Sequence, residues 1–126
     1  MLDFEQAREA LTTLADSLPH ELYRELNGGV ILLPDAIHHP KSCADAPLYI
    51  MGQYHIDPRG FGRYITIYYG SLVAVHTQLD DNAFVNELGK VLRHELTHHL
   101  ESLAGDATLE YLDENKLAKY HRRYKS

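Results

Sequence analysis

The stretch that most limits what this chain can fold into covers residues 82–104. Phe84, Val85, Leu88, Leu92, Leu96, Leu100 and Leu103 recur along it at helical spacing. A stripe of that length must bury itself against other elements, so the spacing predicts a long helix packed on a core. Asp80 or Asp81 can cap its start. Gly105 can end it as a C-cap residue. Gly89 costs the helix about 1 kcal/mol relative to alanine. A close approach of another backbone would explain its presence.

This helix carries Arg93-His94-Glu95-Leu96-Thr97-His98-His99-Leu100, which contains His-Glu-x-x-His. Residues i and i+4 lie on one helix face, one turn apart. His94 and His98 can therefore share one metal ion, and both fall to one side of the apolar stripe. Glu95 is rotated by about 100° from His94. It can reach a metal-bound water without taking a metal position. Two imidazoles and a carboxylate base in this order are the zinc-hydrolase pattern. Glu95 and His99 fall nearer the stripe and should be partly shielded from water.

A catalytic zinc takes three protein ligands and keeps one position open. The third should follow a turn at Gly105 that folds the chain back. A last helix would then carry Leu109, Leu112, Leu117 and Tyr120 inward, with Asp106, Glu110 and Asp113 on or beside the same face. Acids facing inward need a partner. Glu110 is the first choice, because it lies one turn into that helix and has the reach. Asp106 comes second, since capping the helix competes, and Asp113 third. Glu101 shares the face of His94 and His98 and is better suited to orient a histidine than to bind metal.

Elsewhere the chain reads as scaffold. Asp3 can cap a first helix to about residue 18, with Phe4, Ala7, Leu11, Leu14 and Leu18 at helical spacing. Pro19 suits the first turn of a short helix over residues 20–26, stopped by Asn27-Gly28-Gly29. Val30-Ile31-Leu32-Leu33 is continuously apolar and predicts a strand buried on both faces. Residues 35–47 read as a loop, in which His38 and His39 are exposed. A strand beginning at Leu48 and one over residues 63–69 flank Asp57-Pro58-Arg59-Gly60-Phe61-Gly62, which is turn chemistry, so a hairpin is expected. Ile65, Ile67 and Tyr69 should line one face, and Tyr64, Thr66 and Tyr68 the other. Leu72-Val73-Ala74-Val75 fits a short strand or a buried loop. A strand tyrosine, or His76, could stabilise an oxyanion. The edge of the strand over 63–69, or of its partner, could take up an extended substrate.

Residues 1–126 suffice for one domain with one core. A net charge of −6 argues against nucleic-acid or anionic-membrane partners, which favour basic surfaces. Cys43 is the only cysteine, so neither an internal disulfide nor a cysteine zinc knuckle can form. No apolar run is long enough to span a bilayer. Residues 1–5 lack the basic and apolar regions of a signal peptide. A cytoplasmic location is the expectation.

At His94-Glu95-Leu96-Thr97-His98-His99, followed by Gly105 and the acids behind it, the sequence resembles the small bacterial zincin-like metallopeptidases. That resemblance implies an α+β, minimal zincin-like fold, with helices at both ends and a small twisted sheet packed on the motif helix. It implies Zn2+ on His94 and His98, with Glu95 as general base, and no particular substrate. Related zincins often place the third ligand three residues after the glycine, which here is Thr108, a poor zinc ligand. The expected function is zinc-dependent hydrolysis of a peptide or unfolded protein. A zinc-binding module without turnover, serving as a partner-binding or regulatory protein, is the alternative.

Overall fold

A computed structural model describes residues 2–43 and 47–107, with side chains to residue 105. Helix α1 (Phe4–Ser17) starts where expected. Asp3 accepts from the Gln6 main chain, and the Gln6 side chain accepts from the Asp3 main chain, which closes a capping box. Buried Ala7 and Leu11 face inward. The next segment is a short 3-10 turn (His20–Tyr23), not a helix to residue 26.

Strand β1 (Gly29–Leu33) follows, then β2 (Ile37–His38), β3 (Tyr49–Ile50), β4 (Gly52–Asp57) and β5 (Gly62–Tyr68). One sheet has the order β1-β5-β4, with β1 parallel and β4 antiparallel to β5. The β4–β5 hairpin pairs Asp57 with Gly62, as the turn residues foretell. Strands β2 and β3 form a separate two-stranded ribbon. The apolar run of β1 does not mark a strand buried on both faces: β1 sits at the sheet edge, and only Leu32 is buried. Nor is residue 48 the start of one continuous strand. The chain passes from the ribbon at Ile50 to the main sheet at Gly52, with Met51 between.

Ile65 and Ile67 are fully buried on the face of β5 that packs on the motif helix. Tyr69 does not extend that face, because it opens helix α2 (Tyr69–Val75). Its ring packs edge-on against Phe4 and Phe84. The apolar run Leu72 to Val75 is thus helical, neither a strand nor a loop. A Cβ on Gly70 would lie 2.6–2.8 Å from main-chain atoms of Pro34, Asp35 and Ala36. Buried Ser71 accepts from the main chain of Ile37 at 2.8 Å, which ties α2 to the ribbon.

Helix α3 (Asp81–Ala107) carries the motif and closes the core. Phe84, Leu88, Leu92, Leu96 and Leu103 are buried, whereas Leu100 is exposed. Asp80 accepts from the main chain of Ala83 near the start of α3. Gly105 does not end this helix, which runs on through Asp106 to Ala107. A glycine C-cap needs a left-handed φ, and Gly105 is not among the residues that have one. Gly89 faces the Leu14 side chain of α1 and Arg93 of its own helix, not a neighbouring backbone. The fold is α+β with helices at both ends, as expected. Among the described residues, no helix is long and apolar enough to cross a membrane.

Candidate metal centre

The helical spacing of the motif brings two ring nitrogens together. His94 Nε2 and His98 Nε2 are 3.2 Å apart. Two imidazoles on one tetrahedral zinc, with Zn–N near 2.0–2.1 Å, place their nitrogens about 3.4 Å apart. The pair therefore fits the metal, although one N–H···N bond spans the same gap. His94 is exposed and His98 is buried, so the pair lies at the boundary of the core.

Glu95 is 4% exposed. Its seat is made by Gly52 at the start of β4. A Cβ there would lie 2.6 Å from Val91 Cγ1, 3.2 Å from Glu95 Cγ and 3.3 Å from Glu95 Oε2. The missing side chain lets α3 lie against β4 and lets the carboxyl rest on the strand. Burial raises the pKa of this carboxyl from 4.5 to about 7. Gly52 is not among the residues singled out from the sequence; a glycine within the expected strand from Leu48 is the signal that could have pointed to a close approach.

His99 points the other way and is fully buried. Its Nε2 donates to the Arg24 carbonyl at 2.7 Å, and its Nδ1 accepts from the Tyr54 hydroxyl at 2.8 Å. Arg63 donates to that hydroxyl at 3.0 Å and also reaches buried Ser102. Burial is the main cause holding the His99 pKa below the usual histidine value. The neutral ring is a tether from α3 to β4 and to the turn before β1. Glu25, next to the accepting carbonyl, holds φ at +62°, a region non-glycine residues seldom occupy.

A cavity of about 430 Å³ opens beside the motif. His94 and Glu95 form one wall, with His39, Tyr49, Ile50 and Met51 among the residues opposite. His39 is therefore not a bystander in an exposed loop. Sequence spacing could not reveal this, because 55 residues separate it from His94. Its neighbour His38 is exposed, with Tyr49 edge-on to its ring. Glu87 and Lys90 lie at the far end of the cavity, 2.9 Å apart. Hydrogen bonding to Lys90 holds the Glu87 carboxyl below the usual range.

Of the tyrosines expected on strands, Tyr49 lines this cavity, whereas Tyr64, Tyr68 and Tyr69 do not. Tyr68 donates to Gln53 and Tyr69 to the Leu2 carbonyl, while Tyr64 stacks on His55. His76 Nε2 lies 3.6 Å from Glu87. Of the proposed third ligands, Glu110 and Asp113 lie outside the described residues, as does Thr108. The main chain of Asp106 falls within α3, and the expected last helix over Leu109 to Tyr120 lies outside the described residues. Glu101 is half-buried, one turn beyond His98. Among the described residues no group of three or more His, Cys, Asp or Glu side chains could hold a metal.

No family model matches the chain, and neither does any curated protein. A solved structure does: a conserved hypothetical protein from Thermus thermophilus, 32% identical, with a TM-score of 0.70. The match covers 82% of this chain and 99% of that one. The chain belongs to that protein's family. The kinship extends over nearly all of the relative, so the arrangement of α3 on the sheet is a family fold.

Proposed function

We propose that the protein is a zinc-dependent peptidase acting on a peptide or unfolded protein. The observation that carries this reading is the 3.2 Å approach of His94 Nε2 and His98 Nε2 beside the buried carboxyl of Glu95. His94 and His98 would hold the metal, with a third ligand from beyond the described residues, Glu110 first. When bound, zinc supplies Lewis-acid chemistry, polarising a carbonyl and acidifying water. Glu95 takes the proton of the attacking water and passes it to the leaving amine. A carboxyl raised to about 7 by burial is suited to both transfers near neutral pH. Strand β5 is central and paired on both sides, so it cannot take up a substrate strand. Strand β4 pairs only with β5 among the described residues, and its outer edge is where an extended peptide adds.

The test combines metal content with turnover. Elemental analysis should find one zinc per chain, lost in His94→Ala. Glu95→Gln should keep the zinc and cut cleavage of a diverse peptide pool by at least about 10²-fold. Zinc without cleavage in the wild type would favour the non-catalytic module. A wild-type protein that binds no zinc would sink both.

A further inference from the structure

His39 is held in an unusual way for a loop residue. Its main-chain N–H donates to the Leu48 carbonyl at 2.9 Å, which carries the β2–β3 pairing one residue further. Its carbonyl accepts from Ser42 N–H at 2.8 Å, closing a turn. Within that turn, Lys41 N–H donates to His39 Nδ1 at 3.0 Å. The ring orientation is therefore set by the main chain. A nitrogen that accepts a hydrogen bond carries no proton, so the neutral ring bears its proton on Nε2. His39 lines the cavity that His94 and Glu95 also line. A ring so protonated is a hydrogen-bond donor, and its Nε2 lacks the lone pair a metal needs.

We propose that His39 donates from Nε2 to the carbonyl oxygen of a peptide bound in this cavity, and so stabilises the negative charge that develops there during cleavage. The proposal rests on the peptidase reading. Ground-state binding gains little from such a donor, and the transition state gains much, so its loss should fall on kcat.

Two substitutions separate donation from structure. Asparagine at this position can still accept from Lys41 N–H, and so keeps the turn, but it does not reach as far as Nε2. Glutamine can carry an amide N–H out to that position. The expected result is a kcat about 10²- to 10³-fold lower in His39→Asn, with KM and zinc content close to wild type. His39→Gln should recover part of the loss. Full kcat in His39→Asn, while cleavage still depends on Glu95, would overturn the proposal and leave the peptidase reading intact. So would loss of zinc in His39→Asn, which would make the residue a ligand. A kcat lost in Tyr49→Phe but kept in His39→Asn would assign the donor to Tyr49. Absence of any Glu95-dependent cleavage by wild type would overturn the peptidase reading and this proposal with it.

Discussion

His98 and His99 are neighbours in sequence and differ in everything that matters to function. His98 turns toward His94 and brings a ring nitrogen within 3.2 Å of it. His99 turns inward, and both its nitrogens are used, on Tyr54 and on the Arg24 carbonyl. A helix rotates about 100° per residue, which is enough to send two identical side chains to opposite ends of the local chemistry. One flank of α3 opens on a cavity through His94 and Glu95. The other is a closed network whose groups satisfy each other. The same residue type is thus a ligand candidate on one flank and a tether on the other, and the two roles predict opposite consequences of substitution.

The largest effect on folding is expected at the tether. His99→Ala removes one hydrogen bond each from the Tyr54 hydroxyl, which keeps Arg63, and from the Arg24 carbonyl, and leaves a void in the place of a fully buried ring. Each lost hydrogen bond costs about 0.5–1.5 kcal/mol and the void left by a fully buried ring adds to it, so the total should be about 3 kcal/mol or more, read as a lower denaturant midpoint. Folded His99→Ala should still bind zinc. Unchanged stability with lost metal would mean that the roles of the two flanks are reversed.

Gly52→Ala comes next, and it attacks the contact on which the cavity flank depends. The new methyl would lie 2.6 Å from Val91 Cγ1, a branched side chain at the edge of the core. Relief requires α3 to move off β4, at about 1–3 kcal/mol. The same movement displaces Glu95, so peptide cleavage should fall further than the loss of stability accounts for. Wild-type cleavage in a destabilised Gly52→Ala would show that Glu95 does not need its seat on β4.

Much of this architecture was legible beforehand, and the misses have a common cause. Asp3 with Gln6, the hairpin turn at 57–62 and the stripe from Phe84 to Leu103 are local signals, and each appears as read except that Leu100 of the stripe is exposed. The histidine pair was legible for the same reason, since i and i+4 is a local relation. What failed depended on distant partners. Leu72 to Val75 is helical, and Gly70 before it lies on the main chain of residues 34–36. Strand β1 is apolar throughout, yet its place at the edge follows from β5 pairing with β4 as well. His39 joins the cavity through the β2–β3 ribbon, and nothing near it in sequence announces that. Local signals misled in two places: after Pro19, where a short 3-10 turn ends at Tyr23, and at Gly105, since a glycine is permitted a left-handed turn but not obliged to make one.

His94→Ala should be quiet where His99→Ala is loud. His94 is exposed, so in metal-free protein the change in stability should stay within about 0.5 kcal/mol. Zinc stoichiometry should nonetheless fall from one to zero. Measured together in buffered chelator, the two variants cross: one loses folding and keeps metal, the other keeps folding and loses metal. Full zinc occupancy in His94→Ala would remove that flank's claim to be a metal centre.

The smallest effect concerns a third histidine, His55, which tests whether neutral packing without a tether is enough to make a ring pH-sensitive. Its ring stacks on Tyr64 and its Nε2 is 2.8 Å from Thr66 Oγ1. Desolvation lowers its pKa below the ordinary 6.5. A lowered histidine pKa means that the unfolded chain binds the proton more readily than the folded one. Stability is then unaffected above pH 6.5 and declines as pH falls through 6.5 toward the folded value. The ring is half-buried, so solvent screens the penalty and the decline should be shallow. Melting temperatures of wild type and His55→Gln should run parallel above pH 7 and converge or cross below pH 6, the variant losing less on acidification. His99 remains in both proteins, so its own contribution cancels in the difference. Curves that stay parallel from pH 8 to pH 5 would show that His55 takes up its proton equally well folded and unfolded.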